Sequence, residues 1–100
     1  MVSIGDRRIG SDRSPYLIAE VGINARNDIE LAKACIEAGA AAGADAIKFQ
    51  THLADEEMVE AEMRQINAAD VYETVAECEW NEDEHLKLAS CCSNHGVDYL

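Results

Sequence analysis

The stretch "DAIKFQT", residues 45–51, decides the fold of this chain. Its apolar residues predict a buried β-strand of ordinary length. A lysine, Lys48, lies in the middle of that strand, although an isolated charge in a buried position is costly. We therefore expect Lys48 either to have a charged partner or to serve a function at this place.

A second strand of the same kind precedes it. The run "YLIAEVG", residues 16–22, follows a proline and ends at a glycine, which predicts a strand buried on both faces. Between the two strands, residues 27–43 predict a helix that begins at a capping box of Asn27 and Glu30 and ends at Gly43. Strand, helix and strand form one right-handed βαβ unit of a parallel sheet.

The second half of the chain repeats the pattern. Residues 53–67 are acidic and weakly helical, residues 70–79 predict a short helix, and "NEDEHLKLASCCSNHG" predicts a capped helix from Asn81 to just before Gly96. The final "VDYL" begins a third strand. The fold class is therefore α/β, with residues 1–100 as the N-terminal βαβαβ portion of a (β/α)8 TIM barrel. A whole barrel takes about 250 residues, so we expect this chain to be truncated before the barrel closes.

Side-chain alternation places Glu20 and Lys48 on the same face, near the carboxyl ends of neighbouring strands, where α/β proteins place their active sites. At ~5 Å and an effective dielectric constant of ~20, their attraction is of order 3 kcal/mol. A structural ion pair is one interpretation. The functional interpretation is that a protonated amine at a strand end binds phosphate or carboxylate. Gln50 and Thr51 add neutral hydrogen-bonding groups to the same rim.

The net charge of −12 is unevenly distributed along the chain. Residues 1–50 carry six basic and seven acidic side chains, whereas residues 51–100 carry two and thirteen. Such a surface repels nucleic acid and anionic lipid, so we exclude both as partners. The small number of lysines, three against twenty acidic residues, favours a protein solvated by carboxylates, as in high-salt organisms.

Targeting and cysteine patterns favour the cytoplasm. The chain has neither an apolar run long enough for a bilayer nor the apolar core of a secretory signal near its start. Its four cysteines form no CxxC pair. Cys91 and Cys92 with His95 allow a soft-metal site, but two small residues at a helix end explain the pair better, since closed zinc sites need four ligands.

Three stretches, "YLIAEVGIN", "GADAIKFQTH" and "NEDEHLKLASCCSNHGVDYL", together resemble the N-terminal part of the sialic acid synthase (N-acetylneuraminate synthase) family. The resemblance implies a phosphoenolpyruvate-condensing TIM barrel. Such an enzyme joins phosphoenolpyruvate to an open-chain N-acetylated sugar aldehyde, usually N-acetylmannosamine, giving a nine-carbon sialic-type acid and phosphate. It also implies a homodimer and a divalent metal, manganese or magnesium, which polarises the aldehyde and whose ligands lie outside this chain.

The resemblance also implies roles for individual residues. Glu20 and Lys48 match the catalytic positions, with Glu20 as a proton-transfer or orienting group and Lys48 as a contact to phosphoenolpyruvate. Gln50 matches a residue that lines the same substrate pocket, and Asn67 matches a sugar-binding asparagine, with a solvated loop asparagine as the alternative. Ala25 departs from the family, which has a histidine there, and this bears on substrate preference and on activity.

Other interpretations remain open. The enzymatic alternative is a synthase for a related nonulosonic acid or another keto-acid barrel enzyme. The non-enzymatic alternative is a non-catalytic fragment, because three strands without closure leave an open edge. We expect none of the histidines to ligate the metal: His85 and His95 fall on an outer helix and its end, and His52 reads as an exposed loop residue.

Overall fold

The computed structural model describes residues 2–100 as a three-stranded parallel sheet with helices on one side, preceded by a small antiparallel hairpin. In chain order the elements are β1 (Val2–Ile4), β2 (Arg7–Ile9), β3 (Ile18–Gly22), α1 (Ile29–Ala41), β4 (Ala46–Phe49), α2 (Ala54–Glu57), α3 (Glu60–Gln65), α4 (Ala69–Glu77), α5 (Glu82–Asn94) and β5 (Asp98–Tyr99). None of the helices in this described part combines the length and the apolar character needed to cross a bilayer.

The predicted βαβαβ order is confirmed. The strands lie in the order β3-β4-β5, and both pairs are parallel. Glu20 is opposite Lys48 in the register, while Gly22 is opposite Phe49. One residue of β3, Val21, therefore has no partner in this register, so the pairing is irregular at the carboxyl end of the strand.

Helix α1 begins one residue later than the sequence predicted. Its N-cap is Asp28, whose carboxylate accepts hydrogen bonds from the backbone N–H groups of Glu30 and Leu31. The predicted Asn27 capping box is wrong, because the Asn27 side chain instead donates to the backbone oxygen of Glu79. The predicted stop is confirmed, since Gly43 has φ +93° directly after the helix.

The core lies between the sheet and the two long helices. Its largest fully buried side chains include Ile36 of α1, Ile47 of β4 and Leu88 of α5. Helix α1 contacts the sheet closely at Gly39, where a Cβ atom would lie 2.5 Å from the Cδ1 atom of Ile47. An alanine here would therefore crowd the end of the Ile47 side chain, which would have to shift.

The prediction that β3 is buried on both faces is wrong. Ile18 is 51% exposed, and Leu17, just before the strand, is 53% exposed. For Ile18 the reason is that the helices of residues 2–100 cover only the opposite face, formed by Ala19, Val21 and Ile47, whereas Leu17 lies before the first residue of the strand. Lys48 lies on the uncovered face and is itself half-exposed, so the expected burial of its charge is also wrong.

A polar cluster joins the N-terminal hairpin to the amino ends of β4 and β5. The Arg7 guanidinium pairs with the Asp45 carboxylate, which also accepts a 2.7 Å hydrogen bond from the backbone N–H of Leu17. The Tyr16 hydroxyl donates to the Asp98 carboxylate. We call Arg7, Asp45, Tyr16 and Asp98 the amino-end clamp, because they join residues that are distant in sequence at the amino end of the sheet.

Residues 54–77, which we call the rim segment, carry α2, α3 and α4 between the carboxyl end of β4 and the start of α5. The Tyr72 hydroxyl donates to Asp55, and Arg64 pairs with Glu60 at 2.7 Å. The acidic stretch predicted as weakly helical is thus two short helices. The capping box of Asn81 and Glu84 at the start of α5 is confirmed.

Candidate functional site

The strand register brings Glu20 and Lys48 into direct contact. Their positions are paired across β3 and β4, and the Lys48 Nζ atom lies 3.3 Å from the Glu20 Oε2 atom. Both side chains project from the uncovered face of the sheet, near the carboxyl ends of their strands. The structure therefore contains the Glu20–Lys48 ion pair that side-chain alternation predicted.

The pair is more open to solvent than a buried ion pair. The Lys48 side chain is 50% exposed and that of Glu20 is 47% exposed. Water screens such a pair, so its contribution to stability is at most about 1 kcal/mol, well below the buried value expected from the sequence. Its main effect is to orient the lysine amine, which keeps free N–H donors for a ligand.

Gln50 and Gly22 complete the carboxyl end of this face. The Gln50 backbone N–H donates to the Gly22 carbonyl at 3.2 Å. Gly22 has φ +59°, and a Cβ atom there would lie 3.3 Å from the Glu20 Oε1 atom and 3.5 Å from the Gln50 Oε1 atom. The structure therefore brings Glu20, Lys48 and Gln50 together around a glycine that leaves room for their side chains.

A second polar contact, which the sequence reasoning missed, lies behind this face. The His85 ring of α5 reaches both the Tyr99 hydroxyl, through Nδ1, and the Thr51 Oγ1 atom, through Nε2 at 3.3 Å. We call Thr51, His85 and Tyr99 the imidazole bridge. His85 was expected only on an outer helix, and no local pattern reveals the contact, since it joins residues 34 and 14 positions apart.

Burial changes the acidity of Tyr99, the phenol of the imidazole bridge. Tyr99 is half-buried against Phe49, with ring centroids 6.0 Å apart. Burial raises the pKa of Tyr99, so the hydroxyl stays protonated over the ordinary pH range and remains available as a donor.

Two other predicted residues lie apart from this group. Asn67 is exposed between α3 and α4, with a left-handed backbone of φ +58°, and within residues 2–100 its side chain forms no hydrogen bond with Glu20, Lys48 or Gln50. His52 was expected to be exposed, but its side chain is only 26% exposed and its Nδ1 atom lies 2.8 Å from the Glu57 carboxylate.

The loop after β3 explains how Ala25 is accommodated. Ala25 is 1% exposed and belongs to the core, where its methyl group packs without a polar partner. The next residue, Arg26, has φ +50° and pairs with Glu77 of the rim segment at 2.9 Å. This position, where the resemblance implied a histidine, is thus occupied by a buried alanine, and the neighbouring arginine connects the loop to the rim segment.

The described residues do not form a metal site. Within 2–100, no group of three or more histidine, cysteine, aspartate or glutamate side chains is arranged to hold an ion. The Cys91 Sγ atom is 3.8 Å from the His95 Nδ1 atom, which is a weak contact rather than a ligand set.

Comparisons with known proteins place the site in context. A profile of the NeuB family matches residues 35–100. The N,N'-diacetyllegionaminic acid synthase of Legionella pneumophila is 34% identical over 98 residues, and the match covers 91% of this chain and 28% of that protein. A spore coat polysaccharide biosynthesis protein of Bacillus subtilis is 46% identical over 52 residues, covering 52% of this chain and 14% of that protein.

A solved structure agrees in fold. The N-acetylneuraminic acid (sialic acid) synthetase of Leptospira borgpetersenii, crystallised with citrate, superposes with a TM-score of 0.81 at 28% identity. The match covers 98% of this chain and 32% of that one. The chain thus spans about a third or less of the length of each of these relatives.

Proposed function

Because this chain belongs to the NeuB family, we propose that it supplies the first strands and the anion-binding rim of a nonulosonic acid synthase barrel. In this proposal phosphoenolpyruvate, an open-chain N-acetylated sugar aldehyde and water give a nine-carbon sialic-type keto acid and inorganic phosphate. A new carbon–carbon bond forms between the two substrates. The ester linkage between the enol of phosphoenolpyruvate and its phosphate is broken, and water takes up the two ends.

The observation that carries the proposal is the Glu20–Lys48 contact at the carboxyl end of two parallel strands. A lysine amine donates three hydrogen bonds and carries a full positive charge. With one donor directed to Glu20, the others are available for the phosphate or carboxylate of phosphoenolpyruvate. Glu20 would then orient the amine and stand close enough to the reacting groups to transfer a proton.

The remaining roles follow from the same proposal. Gln50 would hydrogen-bond the substrate at the rim, and Asn67 would contact the sugar from the rim segment. The family's manganese or magnesium ion would be held by residues outside these 100. A homodimer and a cytoplasmic location are proposed on the same basis.

The choice of sugar has two candidates. The similarity to a diacetyllegionaminic acid synthase favours a related nonulosonic acid over N-acetylneuraminic acid itself. A panel of mono- and di-N-acetylated aldehyde sugars, assayed for phosphate release from phosphoenolpyruvate, separates the two.

The Lys48 role is tested with Lys48→Met in the intact gene product. Loss of a charge-assisted contact should raise the KM for phosphoenolpyruvate about 10- to 100-fold, while the KM for the sugar changes little. Lys33→Met is the matched control, since Lys33 lies on α1 and pairs only loosely, at 3.7 Å, with Glu30. Equal kinetics for Lys48→Met and the wild type would refute the role.

A further inference from the structure

The imidazole bridge has no part in the proposed function above, yet it lies directly behind the strand that carries Lys48. We propose that His85 is a positioning residue: its ring fixes the exit of β4, and so keeps Lys48 and Gln50 at the rim. The inference rests on the proposed function, because it concerns binding at that same site.

The bridge connects three elements that meet at the carboxyl end of the sheet. His85 lies in the first turns of α5, Tyr99 is in β5, and Thr51 follows β4 by two residues. The ring nitrogens bond one hydroxyl each, Nδ1 to Tyr99 and Nε2 to Thr51. Since a hydroxyl both donates and accepts, either neutral tautomer of the ring satisfies both contacts. The ring is therefore a spacer of fixed length between β5 and the β4 exit.

Aromatic packing extends this hold to the strand itself. The buried Phe49 ring lies 6.0 Å from Tyr99 and 6.4 Å from Trp80, and Tyr99 lies 6.1 Å from His85. Phe49 is the residue between Lys48 and Gln50, and its side chain points to the helices. Because side chains alternate along a strand, fixing Phe49 on the helix side directs its two neighbours to the open face.

The backbone hydrogen bonds at the carboxyl end of β4 stop at Gln50. Phe49 donates to Leu100 at 2.9 Å and Gln50 donates to Gly22 at 3.2 Å. Among the backbone–backbone bonds of residues 2–100, none involves the N–H or C=O of Thr51. The hydroxyl contact to His85 is thus what ties Thr51 itself to the helix layer, ahead of the next contacts along the chain, those of His52 with Glu57 and of Ala54 with Glu79.

Two conservative variants separate the two halves of the bridge. The amide of His85→Asn can replace Nδ1 and keep the Tyr99 contact, whereas the longer His85→Gln can replace Nε2 and keep the Thr51 contact. We expect His85→Asn to raise the KM for phosphoenolpyruvate about 3- to 10-fold, the loss of one hydrogen bond. His85→Gln should stay within about twofold of the wild type, and kcat should change little in both. Thr51→Val removes the same contact from the other side and should reproduce the effect of His85→Asn.

The outcomes are distinct. His95→Asn is the control, since His95 lies at the opposite end of α5 and should leave both constants unchanged. Loss of kcat and of thermal stability to the same degree in His85→Asn and His85→Gln would indicate a purely structural role and overturn the inference. An active wild type with an unchanged KM in both His85→Asn and Thr51→Val would overturn it too. A wild type that releases no phosphate with any sugar would instead refute the proposed function.

Discussion

Cys91 and Cys92 are neighbours in sequence with opposite environments. Both belong to α5, where Cys92 is fully buried in the core, whereas Cys91 is only partly covered. Burial, assisted by the nearby Cys91 and Asp98 groups, raises the pKa of Cys92 to about 11. Only the thiolate reacts with alkylating reagents, so these two thiols should differ strongly in reactivity.

We predict that iodoacetamide at pH 8 modifies Cys91 at least about 100-fold faster than Cys92 in the folded chain, and that guanidinium removes the difference. Peptide mass spectrometry measures both rates. Because the folded pKa is raised, the thiol's contribution to stability is complete below about pH 9 and is lost as the pH rises towards about 11. The stability of Cys92→Ala should therefore lack the part of this decline that comes from the thiol. Similar rates for the two thiols in the folded chain would contradict the prediction.

The residue scale also shows what a sequence can reveal about a site. Glu20 and Lys48 were placed on one face because strand alternation needs only local information. Their solvent exposure was not predictable, since it depends on which layers cover the sheet. The His85 contact escaped because it depends on where the start of α5 lies over β4 and β5, which no periodicity encodes.

At the scale of elements, the packing of α1 on β4 is the most constrained contact. Gly39 permits the close approach, and Ile47 fills the space below it. Helix propensity alone favours alanine over glycine by about 1 kcal/mol. Overpacking a tight core costs about 1–3 kcal/mol. We therefore expect the crowding at 2.5 Å to outweigh the gain in helix propensity.

We predict that Gly39→Ala destabilises the chain by roughly 1 kcal/mol, as the net of these two effects. Ile47→Val alone should cost about 0.5–1.5 kcal/mol, since it removes the Cδ1 methyl group. The double variant should be more stable than Gly39→Ala, because the new methyl occupies the vacated space. Urea unfolding of the four proteins measures the coupling, and strictly additive effects would refute the steric account.

Element boundaries show a similar division between the predictable and the unpredictable. The start of α5 was predictable because Asn81 and Glu84 have no competing partners. At α1 the adjacent Asn27 and Asp28 were both plausible caps, and the tertiary bond from Asn27 to Glu79 decided between them. Local cap signals are therefore reliable only where no distant acceptor competes.

At the scale of the whole molecule, the acidic surface dominates. None of the charged residues in 2–100 is buried, so the carboxylates that give the net charge of −12 are hydrated and repel one another. Salt reduces this repulsion, since the screening length falls from about 10 Å at 0.1 M to about 3 Å at 1 M. Most of the charge lies in residues 51–100, which include the rim segment and α5.

We predict that the Tm rises by roughly 5 °C or more between 0.1 and 1 M KCl, a gain of about 1 kcal/mol for a domain of this size. Calorimetry or circular dichroism measures it. Glu56→Lys with Glu62→Lys removes repulsion from the rim segment, whose Glu56 and Glu62 take part in none of the ion pairs of residues 2–100. The Tm of this double variant should rise less with KCl than that of the wild type. A Tm that is independent of KCl would contradict the electrostatic account.

The global arrangement was predictable in outline. Alternating strands and helices determined the parallel order of β3, β4 and β5. The N-terminal hairpin and its position were not predicted, because the clamp pair that attaches it, Arg7 with Asp45, joins residues that are distant in sequence. Charge and short apolar runs in residues 2–15 gave no periodic signal to identify it.

The amino-end clamp has an evolutionary consequence. It secures the sheet through side chains at one end, while Glu20, Lys48, Gln50 and the rim segment occupy the other. Over evolution, the loops at the carboxyl end can therefore change without loosening these contacts at the amino end.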